Sequence, residues 1–202
     1  MKLYYSTSSP FARKVLITAI LTGQRNQIEL IDFAKTGTFI PDPDYDQKNP
    51  LGKIPALEIS PDNVMIDSPI ICEYLNHQST TQKVFADTHT EAYFSQKKIE
   101  ALADGLMDAA VLRRYEVLRP KHLFSTDFDQ KQAYKIGQSL HYFESNLSLL
   151  KPELSIAEIS VLCALAYLDF RFANENWRSN HPQLAQWFEK TSSHPAFQAT
   201  KP

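Results

Sequence analysis

Strand patterns are confined to the first third of the chain, and every later pattern is helical. A strand at about Lys2–Ser6 precedes a helix at about Phe11–Thr22 and a second strand at about Ile28–Phe33. Two short strands on either side of the turn SPDN come next, and a helix from about Ser68 to Asn76 ends the series. The order is βαβ followed by ββα, which predicts a small α+β domain.

The remainder of the chain reads as an all-α domain. Its helical patterns lie at about Thr90–Leu118, Asp127–Leu150, Ser155–Asn174 and Pro182–Thr191. Because strands and helices are segregated along the chain, we expect two packed domains. The predicted boundaries are an α+β domain at residues 1–78, a linker at 79–87 and a helical domain at 88–202.

Charge and hydropathy exclude several classes of protein. The 21 basic and 23 acidic side chains give a net charge of −2, which is no footprint of a nucleic-acid-binding protein. The longest apolar stretches, Val15–Leu21 and Val161–Leu168, are less than half of the roughly 20 residues that a membrane span needs. The amino-terminal segment does not read as a secretory signal, so a cytoplasmic location is expected. No Cys or His spacing suits a metal, and Cys72 and Cys163 read as buried thiols.

One helix start can be predicted in detail. Ser155 and Glu158 have the spacing of a capping box, in which each side chain accepts from the other residue's backbone amide. The run that follows, ISVLCALAYL, is apolar on nearly every side. We therefore expect this helix in the middle of the helical domain.

The segment SSPFARK follows the first strand and opens the first helix. Free backbone amides and the positive end of the helix dipole make such a place attractive to a thiolate, phosphate or carboxylate. The alternative is that Ser8 or Ser9 is an ordinary N-cap ahead of Pro10. The local motif leaves both interpretations open.

Five segments of the chain match one set of family motifs. They are SPFA, NPLGKIPAL, DSPIICEYL, LSIAEISV and HPAFQATKP. Together they resemble a bacterial cytosolic glutathione S-transferase of the serine type, over essentially the whole chain. SPFA is similar to the thioredoxin-type CPxC motif with Ser and Ala in place of the two cysteines. NPLGKIPAL resembles the segment before the cis-proline, and DSPIICEYL resembles the start of the glutathione-binding helix. LSIAEISV and HPAFQATKP are similar to a helix cap and a common ending of the family. The resemblance implies a thioredoxin-like domain followed by a helical domain.

The resemblance also implies a set of glutathione contacts. Pro55 matches the cis-proline, which leaves the backbone of Ile54 as a strand edge for a peptide-like ligand. Asp67 and Ser68 match the acid-Ser pair that holds the γ-glutamyl end, with Ser68 also expected to cap its helix. The family usually has Glu at the position of Asp67.

The other candidate residues lie around this core of the site. Ser9 is expected to face the glutathione sulfur because it occupies the first-Cys position, and Ser8 is the rival. Lys53 and Asn49 are candidates for the glycyl end, with a solvated lysine as the alternative for Lys53. Phe11 either contributes an aromatic wall or packs in the core.

Two arginines are candidates for the acceptor side. Arg113 and Arg114 border the apolar stripe of the helix that ends near residue 118. They are expected either to attract an anionic or carbonyl-bearing acceptor or to form ion pairs near the helix end.

The expected function is glutathione S-transferase activity towards small hydrophobic electrophiles, with glutathione as co-substrate and no permanently bound cofactor. A glutathione-dependent isomerase or dehalogenase is the alternative among enzymes. A non-catalytic glutathione-binding stress module is the alternative from another class. The resemblance implies a homodimer and a role in detoxification, and no nucleic-acid or membrane partner is expected.

Overall fold

The computed structural model describes residues 1–33 and 42–201, which form two compact units. The first unit contains the described residues of Met1–Thr88 and His194–Pro202, and the second contains His89–Ser193. The sequence of residues 34–49 has no clear periodicity and predicts an irregular segment, of which residues 34–41 lie outside the described residues. Its remainder includes one short helix that the sequence pattern does not predict.

The first unit is an α+β structure and confirms the predicted fold class. Its elements, in chain order, are β1 Lys2–Tyr5, α1 Pro10–Leu21, β2 Glu29–Asp32, α2 Pro43–Asp46, β3 Ala56–Ser60, β4 Asn63–Met65, α3 Ser68–Gln78 and α8 Pro195–Gln198.

The four strands form one mixed sheet in the order β2-β1-β3-β4. β1 and β2 are parallel, whereas β3 is antiparallel to both β1 and β4. Helices α1 and α3 pack together, and Thr18 of α1 donates a hydrogen bond to the Cys72 sulfur of α3 at 3.4 Å. The large hydrophobic side chains that are fully buried in this core are Leu3, Val15, Ile17, Leu57, Ile71 and Leu75.

The second unit contains four α-helices, α4 Glu91–Val117, α5 Thr126–Ser145, α6 Ile156–Phe172 and α7 Pro182–Ser192. Helix α4 packs on α5 and α6, and α7 packs on the same two helices. Most residues of α6 are buried, which confirms its predicted central position. The predicted helix at Asp127–Leu150 is shorter in the structure, because a separate 3-10 turn at Leu147–Leu149 follows α5.

The predicted capping box is present at the start of α6. The Ser155 hydroxyl accepts from the Ala157 amide at 3.2 Å, and the Glu158 carboxylate accepts from the Ser155 amide at 3.0 Å. The other Glu158 oxygen accepts from the Lys151 amide at 2.7 Å. A buried carboxylate is therefore satisfied by backbone donors on both oxygens.

The segment after residue 193 groups with the first unit, whereas the sequence places it in the helical domain. Buried Arg13 of α1 explains this difference. Its Nε donates to the Thr200 hydroxyl at 3.2 Å, its Nη2 donates to the Phe197 carbonyl at 3.1 Å, and its guanidinium lies 3.8 Å from the centre of the Phe197 ring. Hydrogen bonds and a cation–π contact thus attach the segment to α1.

Among the described residues, no helix has both the length and the apolarity that crossing a bilayer requires.

We predict that Ser155→Ala lowers the free energy of unfolding by about 1 kcal/mol, because it removes the N-cap of the central helix. Ser193→Ala is the control, since Ser193 is exposed and its hydroxyl donates to a carbonyl at the end of α7. Urea denaturation of both variants measures the difference. Equal stabilities of the two variants would contradict a contribution of the capping box.

Candidate glutathione-binding site

The directions of β1 and β3 bring two candidate segments to one edge of the sheet. β1 ends at Tyr5, four residues before Ser9. β3 is antiparallel to β1 and begins at Ala56, which lies opposite Tyr4. The segment just before β3, which contains Pro55, therefore lies at the edge where β1 ends.

β4 brings a third segment to the same edge. It is antiparallel to β3, with Met65 opposite Leu57, so it ends where β3 begins. Asp67 and Ser68 follow two and three residues after Met65. The sheet thus collects the three predicted parts of the site within the first unit.

Ser9 is the N-cap of α1. Its backbone is extended, with φ −83° and ψ 119°, and its Oγ accepts from the Ala12 amide at 3.2 Å. This bond uses the oxygen as an acceptor, whereas the hydroxyl proton has no acceptor among the described residues. The cap role and a role as donor to a ligand are therefore compatible.

A second donor lies in the first turn of α1. Pro10 has no amide hydrogen, but Phe11 has one, and it finds no acceptor within the described residues. The first turn also contains no acidic side chain that would oppose an anion. The Ser9 hydroxyl and the Phe11 amide together make this helix start receptive to negative charge.

Ser8 has a different environment. Its Oγ lies 3.1 Å from the Ser6 Oγ, and its backbone amide donates to the same Ser6 oxygen at 3.3 Å. The Ser8 hydroxyl is therefore engaged in a turn inside the protein, which favours Ser9 as the residue that faces a ligand.

The segment before β3 presents an unpaired backbone amide. Ile54 is half-buried, and its N–H forms no hydrogen bond with any residue in the described ranges. The Lys53 side chain is exposed and has no hydrogen-bond partner among those residues. The Ile54–Pro55 peptide bond is cis, as the resemblance implies, and so is the Ile66–Asp67 bond.

Asn49 is buried, with 1% of its surface exposed. Its Nδ2 donates to the Lys53 carbonyl at 2.6 Å, and its Oδ1 accepts from the Leu51 amide at 3.1 Å. The side chain that the resemblance assigns to the glycyl end is thus used inside the protein. We assign it a role in shaping the segment before β3.

The start of α3 carries the predicted acid-Ser pair, but its capping differs from the prediction. Asp67 is the N-cap, with extended backbone angles, and its carbonyl accepts from the Ile71 amide at 3.0 Å. Ser68 is the first helical residue, so the prediction that Ser68 caps the helix is wrong by one position. The Asp67 carboxylate is exposed, makes no capping hydrogen bond and has no partner among the described residues. A ligand ammonium group would find it available.

A polar network connects Lys48, two residues after α2, to strands β1 and β3. The Glu58 carboxylate accepts from Lys48 at 2.7 Å and from the Tyr4 hydroxyl at 2.8 Å. The hydrogen bond from Lys48 and, to a smaller extent, the hydrogen bond from Tyr4 lower the pKa of Glu58 below its ordinary value. The Tyr4 ring lies 5.2 Å from the Tyr45 ring, measured between centroids.

Tyr45 is the residue of this region that the sequence analysis missed. It is buried, and its hydroxyl donates to the Lys53 carbonyl at 2.6 Å. Burial raises the pKa of Tyr45 to about 12, so the hydroxyl remains a donor at neutral pH. The signal that could have found α2 is Asp42 followed by Pro43, an N-cap and a proline at the first helical position.

Arg113, a predicted acceptor-side residue, is committed to two carboxylates of the helical unit. It donates to Asp129 at 2.9 and 3.1 Å and to Glu175 at 2.9 and 2.8 Å. Burial opposes its charge, but the hydrogen bonds to Glu175 and Asp129 outweigh burial and raise the pKa of Arg113. Of the two expectations for Arg113, the structure shows the ion pairs, so we assign Arg113 a structural role and not an acceptor contact. Arg114 is half-buried and has no hydrogen-bond partner in the part of the chain that the structure describes.

No group of three His, Cys, Asp or Glu side chains within residues 1–33 and 42–201 is arranged to hold a metal ion.

A thioredoxin-like unit with an anion-receptive helix start, together with an all-helical unit, defines a protein of the glutathione transferase type. Models of the glutathione S-transferase N-terminal and C-terminal domains match residues 8–78 and 140–190. The uncharacterized GST-like protein YibF of Escherichia coli (strain K12) is 34% identical over 205 residues, which cover 100% of this chain and 98% of YibF. The chain belongs to the glutathione S-transferase family.

Solved structures from Pseudomonas fluorescens Pf-5 agree with this assignment. A glutathione transferase family member with bound glutathione has a TM-score of 0.93 and 38% identity, and the match covers 100% of this chain and 98% of that one. A second structure from the same strain holds S-(propanoic acid)-glutathione, with a TM-score of 0.89, 37% identity, and coverage of 100% and 99%.

We predict that Arg113→Ala destabilises the helical unit by about 3 kcal/mol, because it leaves the Asp129 and Glu175 carboxylates without their shared partner. Arg114→Ala is the matched control and should cost about 0.5 kcal/mol or less, as for a residue that forms no hydrogen bond or ion pair with the described residues. Chemical denaturation of the two variants provides the measurement. The structural role of Arg113 is excluded if both substitutions have the same small effect.

Proposed function

We propose that the protein binds glutathione in its first unit, stabilises the thiolate and transfers it to a small hydrophobic electrophile. The observation that carries this proposal is the Ser9 hydroxyl, whose oxygen caps α1 while its proton remains free to donate. The solved relatives that hold glutathione and a glutathione conjugate support the same ligand here.

Each part of the tripeptide has a candidate partner. Asp67 and Ser68 receive the γ-glutamyl end, where the exposed carboxylate pairs with the ligand ammonium group. The Ile54 amide donates to the cysteinyl carbonyl, in the manner of strand pairing. The exposed Lys53 ammonium group binds the glycyl carboxylate.

The start of α1 can supply the free energy that is needed to stabilise a glutathione thiolate. A free thiol has a pKa of about 8.5 and is only about 3% ionised at pH 7. Lowering the pKa by about 2 units corresponds to about 2.7 kcal/mol and ionises roughly three quarters of the thiol. One charge-assisted hydrogen bond supplies about 1.5 to 3 kcal/mol, and a helix end adds about 0.3 to 1 kcal/mol. Ser9 therefore need not become a nucleophile itself.

The acceptor side and the cellular context are also proposals. Because Arg113 is held by two carboxylates, Arg114 is the remaining candidate for binding an anionic or carbonyl-bearing acceptor. Cys72 and Cys163 are buried and form no disulfide, which suits the reducing cytoplasm in which we place the protein. A detoxifying role follows if the acceptors are foreign electrophiles.

Calorimetric titration with glutathione, combined with turnover of a generic aryl halide, tests the proposal. Binding together with turnover supports a transferase. Binding without turnover of the aryl halide or of isomerase and dehalogenase substrates would favour a non-catalytic module. Absence of glutathione binding by the folded protein would overturn the proposed function altogether.

We predict that Ser9→Ala raises the pKa of the thiol of bound glutathione by about 1 to 2 units, because it removes the hydroxyl donor. Ser9→Asp should raise this pKa at least as much, because its carboxylate also repels the thiolate. Ser9→Asp retains a good N-cap and so separates thiolate stabilisation from folding. Ser8→Ala is the matched control and should leave the pKa of the ligand thiol unchanged. Titration of the thiolate ultraviolet absorbance measures all four proteins, and a larger effect of Ser8→Ala would transfer the role to Ser8.

We also propose that the protein is a homodimer, as the resemblance implies. Leu51 and Ile70 of the first unit expose 65% and 50% of their surface, and a partner subunit that covered them would remove this apolar surface from water. Sedimentation equilibrium at micromolar concentration should give twice the 23.1 kDa of one chain. A monomer mass under these conditions would refute the proposal.

A further inference from the structure

The Lys53 carbonyl is held by two buried donors. The Tyr45 hydroxyl and the Asn49 Nδ2 each donate to it at 2.6 Å. Tyr45 and Asn49 expose only 3% and 1% of their surface. Two short hydrogen bonds from buried side chains leave this carbonyl little freedom to rotate.

The donors themselves are fixed by the turn that carries them. The Asp42 side chain caps α2 and accepts from the Tyr45 amide at 3.1 Å, and the Tyr45 carbonyl accepts from the Asn49 amide at 2.9 Å. The Tyr45 ring lies 4.1 Å from the Phe33 ring, measured between centroids. These contacts join the two donors into one ordered element.

Fixing the Lys53 carbonyl also fixes the amide of the next residue. The Lys53–Ile54 peptide group is planar and trans, so its carbonyl and its N–H point in opposite directions. Because the carbonyl points towards Tyr45 and Asn49, the Ile54 N–H points away from them. That N–H has no acceptor among the described residues.

We propose that Tyr45 and Asn49 are positioning residues, which orient the Ile54 amide for the cysteinyl carbonyl of glutathione. This inference rests on the proposed glutathione binding and adds residues that touch no part of the ligand. Without the two donors, the Lys53–Ile54 peptide group has more freedom to rotate, and ligand binding must order it. Preorganisation of the peptide group therefore contributes to affinity.

The principal variant is Tyr45→Phe, which removes one donor and keeps the buried ring. It should weaken glutathione binding about five- to tenfold. Tyr4→Phe is the matched control, because the Tyr4 hydroxyl belongs to the same aromatic cluster but donates to Glu58 at 2.8 Å. Tyr4→Phe should leave the glutathione Kd unchanged at an equal folded fraction. Asn49→Ala removes the second donor together with the acceptor of the Leu51 amide, so it should weaken glutathione binding at least as much as Tyr45→Phe does.

A ligand variant distinguishes positioning from a general loss of structure. The probe is a glutathione analogue in which a trans carbon–carbon double bond replaces the cysteinyl–glycyl amide, so that it stays planar and uncharged at this position but offers the Ile54 amide no acceptor. The native protein should bind this analogue more weakly than glutathione, whereas Tyr45→Phe should bind the two ligands with nearly equal affinity. If Tyr45→Phe weakens both ligands by the same factor, the inference is overturned.

The amide signal of Ile54 provides a readout without ligand. Loss of a hydrogen bond at the Lys53 carbonyl should change the ¹⁵N chemical shift of Ile54 in Tyr45→Phe but not in Tyr4→Phe. An unchanged Ile54 signal would refute the orienting role even if glutathione binds. A native protein that fails to bind glutathione would instead refute the proposed function, so the two failures are distinguishable.

Discussion

The antiparallel pairing of β3 with its two neighbours is the constraint on which the site depends. Because β1 ends, β3 begins and β4 ends at the same edge, three segments that are distant in sequence become neighbours. Each segment has the unpaired groups that a strand or helix terminus leaves: the Phe11 amide, the Ile54 amide and the first turn of α3. The site therefore forms where strands and helices end, because backbone groups at these ends have no partner within the secondary structure.

Ser9 shows that a structural and a functional interpretation of one residue need not compete. Its oxygen accepts the hydrogen bond that starts α1, and its proton remains for a ligand. Helix α1 needs a capping residue at this position whether or not a ligand binds. Stability alone therefore does not reveal its function, and only a variant such as Ser9→Asp, which retains the cap, separates the two roles.

The sequence predicts those features that depend on neighbouring residues. The strands of the first unit, the helices of the second and the capping box at Ser155 follow from local spacing. The partners of Arg113 do not, because Asp129 and Glu175 are 16 and 62 residues away and no periodic pattern links them. The attachment of Phe197 and Thr200 to Arg13 cannot be predicted from local spacing either.

Asn49 lies between these two cases. Its place in the motif NPLGKIPAL suggests a ligand contact, yet its burial shows that the motif also encodes the shape of the segment before β3. The second donor to Lys53, Tyr45, lies outside the motif in a turn that the sequence pattern does not predict as a helix. The motif therefore identifies the backbone segment that a ligand contacts. The side chains that orient this segment can come from a different part of the sequence, as Tyr45 does, because they pack against the face of the segment that is turned away from the ligand.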